Sequence, residues 1–164
     1  MKARKRLIKQ LSVSLTLIIA MAFVMEGCGT RTTDSSKLFH ENIQAFQLVA
    51  DYLNDHKCYS EITAERPLLL SDTEYKKQGT LFFIGKGTIP DLEKSYLDRI
   101  EDLFEKCSLV RIIIPENEDV VVFQTMAKLG EGSYIVYTKY GNEYSDEYMQ
   151  ITEWLSETWY IAKT

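Results

Sequence analysis

Apolar residues recur every three or four positions in two stretches of the chain, a spacing that places side chains on one face of an α-helix. The first stretch predicts a helix over residues 39–55, with an apolar face formed by Phe39, Ile43, Phe46, Val49 or Ala50, and Leu53. The second follows Thr88-Ile89-Pro90-Asp91, a hydroxyl three residues before a carboxylate, and predicts a helix over residues 90–106.

Beyond residue 108 the composition turns to β-branched and aromatic residues, which favour strands. Strands are predicted over residues 109–114, 120–127 and 134–139, followed by a hairpin over 149–163. The last stretch also carries a helical stripe, but strands are preferred there. Earlier in the chain, only residues 68–70 and 81–84 are predicted as short extended or buried pieces.

Two helices combined with an antiparallel β-meander predict a single α+β domain over residues 38–164, with the helices on one face of the sheet. The order of elements is similar to that of cystatin-like and NTF2-like folds, by analogy alone. Folds of this kind carry unrelated functions, so the likeness implies no activity.

Residues 1–27 differ in composition from the rest and predict a signal peptide. A basic head is followed by an uncharged, mostly apolar run over residues 11–25. As a helix this run would reach about 22 Å, short of the roughly 30 Å hydrocarbon core of a membrane. A cleaved export signal therefore fits better than a permanent membrane span.

The run ends in Met25-Glu26-Gly27-Cys28, which resembles the lipobox of bacterial lipoproteins. The resemblance implies that Cys28 receives a diacylglycerol, becomes the first residue and anchors the protein to the outer side of the cell membrane, with residues 28–37 as a flexible tether. Met25 and Glu26 stand where the family usually has leucine and a small residue. Two alternatives stay open: cleavage after Ala20-Met21-Ala22 with release, or retention of the whole segment.

Loss of residues 1–28 would remove five of the 19 basic and one of the 24 acidic residues, leaving 14 against 23 and a net charge of −9. Binding to a nucleic-acid backbone depends on Lys and Arg, so nucleic acid is not an expected partner. Neither a cofactor nor a metal is predicted, because His40 and His56 lie too far apart on one helix to share an ion.

Cysteine chemistry has two interpretations. His56 and Cys58 are close in sequence, as in an activated thiolate, but no family signature surrounds them, and no catalytic residue is assigned. Alternatively, Cys58 and Cys107, each at the end of a predicted helix, could form a disulfide in an exported protein, or be two buried thiols.

Two loops resemble ligand sites only superficially. Gly85-Lys86-Gly87-Thr88 lacks the spacing of a phosphate-binding loop and is interpreted as a turn. Glu116-Asn117-Glu118-Asp119 offers oxygen ligands without the spacing of a calcium loop, and is interpreted as a solvated hairpin loop.

Aromatic residues are dense in the last third of the chain, where they can pack a core or anchor a partner. An exposed subset, Tyr140, Tyr144 and Tyr148, is the predicted interaction surface for an envelope protein, peptide or glycan. The sequence thus favours a membrane-tethered, non-enzymatic binding domain. A small envelope hydrolase, or a small-molecule carrier with an apolar pocket in a curved sheet, is the alternative.

Overall fold

The computed structural model describes residues 34–68, 73–116, 118–128, 131–144 and 149–164. The predicted signal peptide and Cys28 lie outside these ranges. In chain order the elements are α1 (Ser35–Asp55), β1 (Glu61–Thr63), β2 (Glu74–Gln78), β3 (Leu81–Gly85), α2 (Lys94–Cys107), β4 (Leu109–Ile113), β5 (Val120–Lys128), β6 (Glu131–Thr138), β7 (Gln150–Trp154) and β8 (Trp159–Lys163).

The strands form one antiparallel sheet in the order β2-β3-β1-β4-β5-β6-β8-β7. The predicted α+β class is confirmed. The three predicted strands after residue 108 and the C-terminal hairpin are present, with ends shifted by a few residues. Three strands lie between the two helices, however, whereas the sequence placed both helices before the meander.

Strands β1 and β2 were not predicted. β1 has only three residues, too few to show an alternating pattern. β2 reads Glu-Tyr-Lys-Lys-Gln and is polar because it lies at the edge of the sheet, where charged side chains are typical. Of the predicted piece 68–70, Leu68 lies in a loop with an exposed side chain, and the rest lies outside the described residues.

Helix α1 begins four residues earlier than predicted because Asp34 caps it. The Asp34 carboxylate accepts hydrogen bonds from the backbone N–H groups of Ser36 and Lys37, which have no partner within the helix. Ser35 is buried, and its hydroxyl lies 2.7 Å from that of Ser133 in β6. Residues 34–37, expected in the tether, are therefore the cap and first turn of the helix.

Helix α2 begins at Lys94, so the predicted start at Pro90 was wrong. Gln78 is a buried residue at the end of β2, and its side-chain amide explains why α2 begins later than predicted. Its nitrogen donates to the Pro90 carbonyl at 3.0 Å, and its oxygen accepts from the Leu92 N–H at 2.8 Å. Because the Pro90 carbonyl and the Leu92 N–H are both bonded to Gln78, residues 90–92 stay outside the helix. The buried Leu92 side chain packs into the core.

The main core lies between the helices and one face of the sheet, here called the helix-covered face. Its centre is Trp159 in β8, whose ring centroid lies 4.9 Å from that of Phe39 and 5.0 Å from that of Tyr137. The indole N–H donates to the Gln47 side chain at 2.8 Å. Helix α1 is thus fixed to the sheet by aromatic packing and one directed hydrogen bond.

A smaller core lies on the opposite face, here called the outer face. Successive residues of β5 alternate between the two cores, as the pleat of a strand requires. Tyr160 is fully buried there, and its hydroxyl accepts from the Tyr144 N–H and donates to the Tyr144 carbonyl. Burial raises the pKa of Tyr160 to about 12. Tyr144 and Met149 thereby pack on the β5, β6 and β8 part of the outer face.

Gln78 offers a direct test of the fold. Replacing it with Met keeps the length of the side chain but leaves the buried Leu92 N–H without its acceptor, so the free energy of unfolding should fall by about 2–3 kcal/mol. Urea denaturation would measure the change. Gln44→Met, at an exposed position of α1, is the matched control. It should change the free energy of unfolding by less than about 0.5 kcal/mol. Equal shifts in both variants would contradict the role given to Gln78.

Candidate functional site

A cleft of about 560 Å³ lies on the outer face, over β1, β4 and the segment that follows β1. Paired residues of β1, β4 and β5 form the floor of the cleft: Thr63 pairs with Arg111, and Arg111 pairs with Gln124. The neighbours Ile62, Ile112 and Phe123 belong to the main core, so the alternation of the strands directs this row of three polar side chains to the opposite face.

Arg111 and Gln124 present hydrogen-bond donors to this cleft. The Arg111 Nε–H group donates to the Gln124 side-chain oxygen, which orients both groups. Arg111 is half-buried and Gln124 is buried. Within the described part of the chain, the two terminal nitrogens of Arg111 and the amide nitrogen of Gln124 make no further hydrogen bond or ion pair. The cleft therefore contains a fixed cation with unused donors.

Acidic side chains line the same cleft. Glu61 in β1 pairs with Ile113 in β4, which places it on the same face as Arg111 and one diagonal step away. The half-buried Glu61 carboxylate makes no ion pair with any described residue. Both charges are thus available to a ligand in the cleft.

A second arginine is held at the rim. Arg66 donates to the Tyr75 hydroxyl at 3.1 Å, and its guanidinium lies 5.9 Å from the centre of the Tyr75 ring. The Thr63 hydroxyl donates to the Val110 carbonyl and accepts from the Glu65 N–H, which fixes the turn out of β1. These contacts hold the segment after β1 beside the cleft.

Sequence reasoning did not single out this site. A signal was present: Arg111 interrupts the apolar run Leu-Val-Arg-Ile-Ile-Ile, and Gln124 ends the run Val-Val-Val-Phe. A charged or amide side chain inside a buried strand needs a partner or a function. The two residues could have been found separately, but their proximity follows from register, which the sequence does not reveal.

Two of the three residues of the predicted tyrosine surface, Tyr140 and Tyr144, lie among the described residues. Tyr140 has 69% of its surface exposed, whereas Tyr144 is half-buried against the smaller core and bonded to Tyr160. Tyr148 lies outside the described residues. Tyr140 and Tyr144 do line a common pocket of about 260 Å³, together with Glu118 and Glu143.

His56 and Cys58 do not form a thiol–imidazole contact. The Cys58 thiol donates to the main-chain carbonyl of His56 at 3.5 Å, while the imidazole Nδ1 lies 2.8 Å from the Tyr52 carbonyl. The imidazole Nδ1 of His40 contacts the Ser36 carbonyl in the same way, at the other end of α1. Each histidine therefore interacts with its own helix.

Cys58 and Cys107, predicted as a possible disulfide, are both free thiols in the structure. Cys107 points into the main core from the last turn of α2, whereas Cys58 is half-buried in the loop after α1. Burial raises the pKa of the Cys107 thiol to about 11, so this group stays protonated and unreactive at neutral pH.

The loops over residues 85–88 and 116–119, which resemble ligand sites superficially, are joined by an ion pair. Lys86 lies in the turn after β3, and its ammonium group is 2.8 Å from a Glu116 carboxylate oxygen. Asp119 pairs with Lys57 at 2.7 Å, and this hydrogen bond lowers the pKa of the Asp119 carboxyl. Asn117 lies outside the described residues. The carboxylates of Glu116 and Asp119 are thus directed to lysines at different places.

Comparison with known proteins gives no match to a family model, a curated protein or a solved structure. Among the residues that the structure describes, no helix has the length and apolar character needed to cross a membrane. The same residues contain no group of three or more His, Cys, Asp or Glu side chains that could hold a metal ion.

The two thiols should differ sharply in reactivity. In the folded protein at pH 8, iodoacetamide should modify Cys58 and leave Cys107 unmodified, because Cys107 is buried and its thiol is protonated. Peptide mass spectrometry would locate the label, and labelling in denaturant, where both should react, is the control. A native protein without reductant in which neither thiol reacts even after denaturation would instead indicate the disulfide.

Proposed function

We propose that this chain is an exported domain, tethered to the cell membrane by a lipid on Cys28, that binds a ligand at the cell envelope. The case for export and anchoring rests on the order of basic, apolar and small residues before Cys28. The case for binding rests on the folded domain.

The observation that carries the binding role is the cleft with Arg111 and Gln124 on its floor. Its volume of about 560 Å³ is in the range of small-molecule sites, which extends from roughly 300 to 1,000 Å³. The donors lie on strands of the sheet, and strands position a site better than loops do. Arg111 is half-buried and has no counter-ion among the described residues, so it gains from a ligand that supplies one.

An apolar carrier pocket is less well supported. The helix-covered face is filled by the protein's own side chains, among them Phe46, Leu103 and Trp159. Ligand binding on the polar outer face is therefore the form of carrier function that we favour. The likeness to cystatin-like or NTF2-like folds stays a prediction and names no ligand.

The alternative of an envelope hydrolase has no specific support from the cysteine and histidine contacts. A macromolecular partner remains part of the proposal through the exposed Tyr140 side chain, which could contact an envelope protein, peptide or glycan. This contact would be separate from the cleft, because Tyr140 is not among the residues that line it.

Anchoring is tested by the intact mass and membrane fractionation of the natively expressed protein. We expect a membrane-bound chain that begins at Cys28 and carries the mass of a diacylglycerol, and we expect Cys28→Ala to lose the lipid. Cys58→Ala, which removes a different thiol, is the control and should remain anchored. A soluble chain beginning near Phe23, or a full-length chain that Cys28→Ala does not alter, would refute the anchoring.

Ligand binding is tested by native mass spectrometry of the protein purified from membranes without denaturant. A small-molecule adduct should be present in the wild type and lost in Arg111→Met, which keeps the apolar stem but removes the guanidinium. Arg99→Met, at an exposed position of α2, should retain the adduct. Retention by Arg111→Met would show that the molecule binds elsewhere.

A further inference from the structure

We propose that the cleft binds a small zwitterion, an amino acid or a short peptide, with its carboxylate on Arg111 and Gln124 and its ammonium group on Glu61. This inference rests on the proposed binding function and names the ligand class for the same site. It is carried by the juxtaposition of Arg111 and Glu61 on neighbouring strands, neither of which forms an ion pair with a described residue.

The carboxylate half of the site follows from the geometry of Arg111. Its Nε–H is already bonded to Gln124, so the planar guanidinium is oriented before any ligand arrives. The terminal nitrogens can then donate two parallel hydrogen bonds to a carboxylate, the arrangement that arginine favours. The amide nitrogen of Gln124 is adjacent and adds a further donor.

The ammonium half follows from Glu61. Thr63 pairs directly with Arg111, and Glu61 lies two residues before Thr63, so the two charges are diagonal neighbours across β1 and β4. Diagonal neighbours have Cα atoms roughly 7–8 Å apart, near enough for one small molecule to contact both side chains. Because Glu61 and Arg111 do not pair with each other, both can act on the ligand.

The charge of the whole cleft favours a neutral zwitterion over a polyanion or a polycation. Among the described residues, two arginines and two glutamates line it, namely Arg66, Arg111, Glu61 and Glu65. An anion that approaches Arg111 also meets Glu61, and it binds better if it carries a positive group for that carboxylate. Like-charge juxtaposition excludes ligands that carry only one sign.

Part of the remaining lining is apolar and indicates the type of side chain, although Ser60 and Thr73 also line the cleft. Ile84, Val110 and Leu68 line the cleft, and Leu68 has 98% of its surface exposed. A ligand side chain placed against Leu68 would remove exposed apolar surface from water. An amino acid or dipeptide with aliphatic side chains therefore suits the cleft best.

The experiment is isothermal titration calorimetry of the full chain in detergent micelles with the dipeptide L-leucyl-L-leucine. Two derivatives serve as probes: its N-acetyl form, which lacks the ammonium group, and its C-terminal amide, which lacks the carboxylate. We expect the dipeptide to bind and each derivative to bind at least about tenfold more weakly, because each loses one charge-assisted contact.

Variants assign each contact. Arg111→Met should weaken dipeptide binding by roughly 10- to 100-fold but change binding of the amide little, and Glu61→Gln should weaken dipeptide binding but change binding of the N-acetyl form little. Arg111→Lys, which keeps the charge without the planar fork, should be intermediate. Arg99→Met and Glu105→Gln, at exposed positions of α2, are the controls and should bind as the wild type does. Circular dichroism would confirm that each variant is folded.

The outcomes separate this inference from the proposed function. If the N-acetyl form binds as tightly as the dipeptide and Arg111→Met abolishes both, the zwitterion is refuted while the cleft remains a binding site. If neither dipeptide nor derivatives bind at millimolar concentration, the zwitterion is refuted, and native mass spectrometry alone then decides the binding function. Binding that is unaffected by Arg111→Met and Glu61→Gln would also overturn the inference.

Discussion

The packing of α1 against Trp159 is the interaction on which the rest of the structure depends. The Trp159 ring meets Phe39 and Phe46 from the helix, and Phe123 and Tyr137 from the sheet. A polar chain runs beside this cluster, because Gln47 accepts from the indole and donates to Asp51, which accepts from the Tyr137 hydroxyl. Apolar contact supplies the stabilisation, and the hydrogen bonds fix one orientation of the helix on the sheet.

The sheet on which α1 packs has two structurally different halves. Around β5, β6 and β8 both faces are buried, so the side chains there are committed to the two cores. Over β1 the outer face carries Glu61 and Thr63 beside Arg111 of β4 and the cleft, whereas Ile113 at the end of β4 packs against the smaller core. On the second half, Glu61 and Arg111 form no ion pair with any described residue.

Much of the fold could be predicted from local patterns. Helix α1 and strands β4 to β8 were found because their apolar periodicity or β-branched composition is strong. The late start of α2 could not be found, since it depends on Gln78, a residue from a different strand. The candidate site was missed for the same reason: Arg111 and Gln124 are 13 residues apart, and only strand register makes them neighbours. Tyr144 and Tyr160 are 16 residues apart, so their hydrogen bond could not be predicted from local patterns either.

The contact between α1 and Trp159 also joins the first and last elements of the described fold. Gln47 and Trp159 are separated by 112 positions along the chain, yet they are joined by a hydrogen bond. A chain synthesised from its N-terminus presents the aromatic face of α1 long before its partner strand exists, and such contacts between distant residues close slowly. Until β8 emerges, the exposed rings of Phe39 and Phe46 are the surface that a chaperone would protect.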